Sequence, residues 1–302
     1  MCATCGCSGT IGAESVALQA HDHVHPHKHS HLHGHEHDHG HGHEHGHDHE
    51  HAHSLDVRGT GAPASRTVTL EQEILAKNRL LAERNRGWLQ GREIFAVNLM
   101  SAPGSGKTTL LERTVRALGK EVAVSVIEGD QETRLDAERI RAAGARVVQI
   151  NTGTGCHLDA QMLGQALGEL SPPVGSLLFV ENVGNLVCPA LFDLGEGARV
   201  VIASTTEGED KPLKYPHMFR AADLVLLNKV DLLPHLDFNV DRFTAYVRSV
   251  NPSARVLQVS AVREDGLPAW YRWLSARDPG RPSEWVSEPG LTTAEPRART
   301  SG

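Results

Sequence analysis

An α/β fold with a mostly parallel sheet, covered by helices on both faces, is what the sequence predicts, and three observations predict it. Seven short runs rich in β-branched residues are apolar throughout rather than alternating, the pattern of strands buried on both faces. Stretches of helical period lie between most of them. The motifs that carry chemistry fall at the carboxyl ends of these runs, where open parallel sheets bind their ligands. In order, Leu70, Ile74, Leu75 and Leu81 recur at near-helical spacing and predict an N-terminal helix ending before Gly91. Strands follow at 94–100, 122–127, 146–150, 176–181, 199–205, 223–228 and 255–260. Helices are predicted around 107–118, 134–143, 157–170, 239–250 and 267–276.

Composition divides the 302 residues into three zones. Residues 1–65 are Cys-rich, then His-rich, then rich in Gly, Ala, Pro and Ser, with no periodic apolar pattern that could build a core, so this zone is expected to be disordered without metal. Residues 66–277 form the globular domain, and 278–302 read as an unstructured tail. No apolar run approaches the roughly 18 to 20 residues of a membrane span. The amino terminus also lacks a charged segment followed by an apolar one, so the expected location is the cytoplasm. Of the net charge of −7, the 21–53 segment supplies five through six acids against Lys28. The rest is near neutral, with no basic excess to drive nucleic-acid binding. Five cysteines, an odd number in a reducing compartment, favour metal binding or reactivity over a disulfide framework.

The first strand runs directly into SAPGSGKTT at 101–109 and then a helical pattern, which is the context of a phosphate-binding P-loop. Gly104, Ser105 and Gly106 let backbone N–H groups curl around a phosphate. Lys107 would reach the β- and γ-phosphates, and Thr108, followed by Thr109, would offer its hydroxyl to magnesium. The strict pattern has Gly where Ser101 stands. Asn228-Lys229-Val230-Asp231 ends a buried strand and places a carboxylate to accept from guanine N1–H and its exocyclic amine. Adenine lacks that pattern. Ser260-Ala261 closes the next strand, where GTPases supply an N–H to guanine O6. Glu181, in Glu181-Asn182-Val183-Gly184, takes the place of the switch Asp as a magnesium ligand. Asp130, at the end of the second strand, is the other carboxylate for magnesium or the attacking water, or else an ordinary helix N-cap. Asn185 rather than Gln follows the switch glycine, so slow intrinsic turnover is expected.

Metal-binding patterns are equally concentrated. Cys2, Cys5 and Cys7 put three thiols within six residues, suited to nickel(II), zinc or copper(I), unless the terminus is merely reactive. Every odd position from 21 to 53 is histidine: His21, His23, His25, His27, His29, His31, His33, His35, His37, His39, His41, His43, His45, His47, His49, His51 and His53. At about two to four imidazoles per ion, the tract could hold roughly four to eight ions. It is internal, long and mixed with acids and glycines, unlike an expression tag. Cys156-His157 opens the helix after the third strand, and Cys188 lies seven residues past Glu181. Spacing alone leaves these three open between metal ligands, completed by a second subunit, and ordinary buried residues. His217 and His235 read as surface or packing histidines.

Taken together, the sequence resembles the hydrogenase nickel-incorporation GTPase family, HypB, of the SIMIBI class of P-loop GTPases. The resemblance covers essentially residues 1–277: CxxCGC, the His-rich insert, SAPGSGKTT, EGDQET, NTGTGCHLDAQM, VENVGNLVCPA, TTEGEDKPLKYP and NKVDLLP stand in the family's order. It implies GTP-dependent homodimerisation and a high-affinity nickel site at Cys2, Cys5 and Cys7. It further implies a second nickel or zinc site at Cys156, His157 and Cys188, and nickel storage in the His tract. Lys211 and Lys214 match the family's lysine loop, whose lysine reaches toward nucleotide across the dimer, although a solvated loop charge would look the same. The implied cofactors are GTP, Mg2+, Ni2+ and Zn2+. The implied partners are a small zinc-containing nickel chaperone and the precursor of the [NiFe]-hydrogenase large subunit. The urease accessory GTPase is the nearest alternative, but its Cys-Pro-His motif is absent because His157 follows Cys156 directly. A non-enzymatic nickel buffer is the other, and intact Lys107, Thr108, Asp130 and Asp231 speak against it.

Overall fold

The computed structural model describes residues 63–130, 135–153 and 155–277; Cys2, Cys5, Cys7, the histidines of 21–53 and the 278–302 segment lie outside the described residues. Strand β1 (Phe95–Ser101) follows a long helix, α1 (Pro63–Gln90), and leads through a loop into α2 (Lys107–Leu118). Next come β2 (Val124–Asp130), α3 (Leu135–Ala142), β3 (Arg146–Asn151), α4 (Ala160–Leu170), β4 (Leu177–Glu181) and β5 (Ala198–Ser204). Two short helices, α5 (Lys211–Lys214) and α6 (Pro216–Arg220), precede β6 (Leu224–Asn228), α7 (Val240–Val250), β7 (Arg255–Gln258) and α8 (Leu267–Ser275). The strands form one sheet in the order β3-β2-β4-β1-β5-β6-β7, and every pairing is parallel.

Both faces of the sheet are covered, as the apolar runs predict. Alternate residues of the strands point to opposite sides. Val97, Leu99, Phe179 and Ile202 pack with Leu110, Leu111 and Val115 of α2 and Trp270 of α8. On the other side, Ala96, Leu178 and Val180 meet Leu89 of α1 and Leu163 and Leu167 of α4. Val201, Val225 and Leu227 meet Phe243 and Val247 of α7. Strands β1, β4 and β6 are buried at every position, so their carboxyl ends are held rigidly.

Three expectations need correction. Helix α4 begins at Ala160, not 157, because Asp159 caps it from an extended backbone, its carboxylate accepting from Met162 N–H at 2.8 Å. Cys156 and His157 therefore lie in the β3–α4 loop. Second, α1 packs only in part on its apolar stripe. Ile74 is exposed and Leu75 and Leu81 are half-buried, whereas Asn78, Ala82, Asn85 and Leu89 form the buried face. The two amides satisfy backbone groups there: Asn85 Nδ2 donates to the carbonyls of Ala160 (2.7 Å) and Leu194 (3.0 Å), and Asn78 Oδ1 accepts from Ala160 N–H (2.9 Å). Third, Ser260 and Ala261 lie just beyond β7, which ends at Gln258.

Candidate nucleotide and metal site

A cleft of about 470 Å3 opens at the carboxyl ends of β1, β2 and β4. Gly104, Gly106, Lys107, Thr108 and Thr109 line one wall, and Glu128, Asp130, Glu181 and Gly184 the other. The loop between β1 and α2 turns through left-handed Gly104 and Gly106, at φ 72° and 96°. Ser101, where the strict pattern has Gly, accepts from Lys107 Nζ at 2.9 Å. Burial lowers the Lys107 pKa, while Glu181 opposes the shift. Thr109 sits at the mouth, its hydroxyl accepting from Arg139 at 3.3 Å.

Opposite the lysine stand two buried carboxylates. Thr108 Oγ1 donates to Glu181 Oε1 at 2.7 Å. Glu128 and Glu181 are register partners on adjacent parallel strands, 3% and 4% exposed, and one oxygen of each, Oε2, has no hydrogen-bond partner among the described residues. Burial raises both pKa values, with Lys107 and Thr108 opposing the rise at Glu181. At Glu128, burial and then the neighbouring Glu181 and Asp130 push the carboxyl up to about 8. Two orphaned carboxylate oxygens beside a threonine hydroxyl make an oxygen donor set of the kind that magnesium takes. Glu128 escapes sequence reasoning because it precedes the recognisable Asp130 by two positions, and only cross-strand register puts it beside Glu181. Glu207, after β5, is a second such case: a half-buried carboxyl whose Oε1 has no hydrogen-bond partner among the described residues, its pKa raised by burial against Lys211 and Lys229.

The loops after β6 and β7 interlock with the P-loop. Asn228 Nδ2 donates to the Ser105 carbonyl at 2.8 Å, and Asn228 Oδ1 accepts from Ala261 N–H at 3.1 Å. Lys229, in left-handed backbone at φ 63°, reaches back to the Gly104 carbonyl at 2.7 Å. A Cβ on Gly106 would lie 2.5 Å from Asn228 Nδ2, so only glycine fits beneath this clasp. Ser260 Oγ donates to Asp231 Oδ1 at 2.6 Å, fixing the carboxylate and leaving its second oxygen for a base edge. Lys214 is exposed and ion-paired to Asp210 at 2.6 Å, which raises its pKa, and it does not line the cleft. Lys211 lies over the Tyr215 ring, 5.2 Å from its centroid. His217 and His235 are exposed.

Beyond Gly184 the β4 loop carries the second cluster. Cys156, His157 and Cys188 bring one potential ligand atom each within 4.8 Å of one another. Cys156 Sγ lies 3.1 Å from Cys188 Sγ, well beyond the roughly 2.05 Å of a disulfide bond, and 3.5 Å from His157 Nδ1. The imidazole stacks on Phe192 at 3.9 Å, and burial lowers its pKa against the opposing charge of Asp159. A neutral ring keeps a lone pair for a metal. Two sulfurs and one nitrogen suit zinc or nickel and leave coordination positions open. Spacing left the role of these three open, and the fold brings them together.

Comparison with known proteins gives the lineage. Residues 95–258 match the family model described as CobW/HypB/UreG, nucleotide-binding domain. The chain is similar to the hydrogenase maturation factor HypB of Azotobacter vinelandii, 58% identical over 214 residues that cover 71% of each chain. Among solved structures, it resembles HypB from Archaeoglobus fulgidus at 42% identity and a TM-score of 0.63, covering 67% of this chain and 98% of that one. It also resembles HypB from Helicobacter pylori in complex with nickel, at 35% identity and a TM-score of 0.63, covering 67% and 95%. Matched over more than half its length by the family model, and to well over two thirds of its relatives' chains, this chain belongs to the HypB family of hydrogenase maturation factors, within the CobW/HypB/UreG group.

Proposed function

We propose that the protein is a GTPase whose nucleotide state governs nickel delivery to the large subunit of a [NiFe]-hydrogenase during its maturation. One observation carries the reading: a single segment, Glu181 to Cys188, forms a wall of the nucleotide cleft at one end and supplies a ligand of the Cys/His/Cys cluster at the other. Gly104, Ser105, Gly106 and Lys107 hold the phosphates, while Asn228, Lys229, Asp231, Ser260 and Ala261 frame guanine. Thr108, Asp130 and Glu181 would hold magnesium, with Glu128 beside them, and the ion, when bound, neutralises charge on the β- and γ-oxygens. Water adds to the γ-phosphorus and the bond to GDP breaks, with Lys107 stabilising the charge that develops. Asn185 does not replace a water-orienting Gln, since both ends of its amide are already engaged. Slow turnover suits a switch.

In this reading GTP drives homodimerisation, which brings Lys214 toward the partner's nucleotide and completes the metal shell. Cys2, Cys5 and Cys7 take nickel at high affinity, the histidines of 21–53 store it, and Cys156, His157 and Cys188 hold nickel or zinc in transit. A small zinc-containing nickel chaperone and the hydrogenase large-subunit precursor are the partners. The test pairs phosphate release with nickel titration in the GDP and GTP-analogue states. Hydrolysis lost on Lys107→Ala, together with nucleotide-dependent nickel affinity lost on Cys188→Ala, is the expected result. Wild-type protein that hydrolyses no GTP would leave a metal buffer instead.

A further inference from the structure

Two asparagines of the switch segment grip the Cys156–His157 loop from either side. Asn182 Oδ1 accepts from Leu158 N–H at 3.2 Å, and Asn182 Nδ2 donates to Asn98 Oδ1 of β1 at 3.3 Å. Asn182 is fully buried and is thereby fixed to the sheet. Asn185 is only half-buried. Its Nδ2 donates to the Cys156 carbonyl at 3.3 Å, and its Oδ1 accepts from the N–H of Val187, next to Cys188, at 2.8 Å. One planar amide thus touches the backbone of one potential metal ligand, Cys156, and of Val187, the residue next to another. Between the two asparagines sits Gly184, where a Cβ would lie 3.1 Å from Cα, N and Cγ of Pro103 in the P-loop.

We infer that Asn185 is the positioning residue through which the nucleotide sets the spacing of Cys156 and Cys188, with Asn182 as the fixed pivot. The inference rests on the nucleotide-linked delivery proposed above. Switch loops that follow a γ-phosphate shift through such a glycine. A shift at Gly184 is passed to the adjacent Asn185 and through its amide to both cysteines, while Leu158 stays pinned to Asn182. The coupling needs little movement. Metal–ligand distances tolerate only about 0.2 Å, so a displacement of a few tenths of an ångström separates a fitting ligand set from a distorted one. The amide also explains why Asn stands where a longer Gln would orient water: a side chain with one end bonded to the Cys156 loop and the other to the backbone just before Cys188 serves the coupling.

The test uses the full chain carrying Cys2→Ala, Cys5→Ala and Cys7→Ala, so that thiolate-to-nickel charge-transfer absorption reports the internal cluster alone. Ni2+ is titrated in a metal buffer, once with GDP and once with a non-hydrolysable GTP analogue. In this background the two affinities should differ by about tenfold or more, and Asn185→Ala should bring them within about twofold while the charge-transfer band persists. Asn185→Asp, which keeps the acceptor for Val187 but sets a carboxylate against the Cys156 carbonyl, should also collapse the ratio and serves if the alanine variant does not fold. By reciprocity, the effect of Ni2+ on nucleotide affinity should vanish in the same variants. A ratio that survives in the Asn185 variants overturns the inference and leaves the proposed function standing. A ratio of one without any Asn185 change overturns both.

Discussion

At the scale of single residues, the chemistry rests on carboxylates whose surroundings differ. Asp231 is half-buried and held by Ser260, and in the proposed function it reads guanine by accepting two hydrogen bonds. Asp231→Asn should therefore shift preference from GTP toward XTP, because the amide offers a donor to the xanthine C2 oxygen. Competition binding with the two nucleotides checks it, and unchanged GTP selectivity would reject the assignment. Glu128 is different, being buried beside Glu181 with its carboxyl pushed up to about 8. A raised carboxyl pKa leaves the fold's stability intact below the unfolded-state value of about 4.5. Stability is then lost as pH climbs through the folded-state value. Glu128→Gln should be no more stable than wild type near pH 4 but more stable at pH 9, by on the order of a few kcal/mol, in urea unfolding without nucleotide. Parallel pH profiles would contradict the raised pKa. Lys107, Thr108 and Asp231 were legible because their motifs are contiguous. The contacts of Glu128, Asn182 and Asn185 were not, because each meets a strand or loop that only the folded sheet brings near.

At the scale of elements, all seven strands and the six longer helices were legible from apolar runs and helical period, to within three residues at their ends, except that α1 begins at Pro63, seven residues before Leu70. The turns at Cys188–Ala190, Thr205–Glu207 and Val230–His235, like α5 and α6, span three to six residues, too few to show any period. The apolar period of α1 is legible in the sequence, with Leu75 and Leu81 half-buried, but the buried amides that attach it to α4 and to the loop before β5 are not. Asn85→Ala should strand the carbonyls of Ala160 and Leu194, costing about 2–3 kcal/mol and lowering the melting temperature by roughly 5–10 °C. Exposed Leu80→Ser should stay within about 0.5 kcal/mol of wild type. If calorimetry reversed that order, the buried amides would not be what holds α1 to the domain.

At the scale of the whole molecule, the nucleotide domain is built from long-range parallel pairings, whereas the 21–53 tract was read from composition alone. Deleting 21–53 should remove most bound nickel, measured by equilibrium dialysis, yet leave GTP turnover within about twofold, since a tract whose apolar residues are only Val24, Leu32 and Ala52, with no periodic pattern, adds nothing to a core. A large fall in turnover would make the tract part of the machine.

The clasp between Asn228 and the P-loop has a consequence in time. Asn228 lies 123 residues after Ser105, whose carbonyl it holds. At about 5–20 residues per second of synthesis, the phosphate loop emerges from the ribosome roughly 6–25 seconds before its clasp exists. During that interval the nascent chain has a lysine and a glycine turn but not the residues proposed to read guanine, so in the proposed function GTP would find no complete site on the first strands. A chain stalled before Asn228 would then lack the residues proposed to tell guanine from adenine.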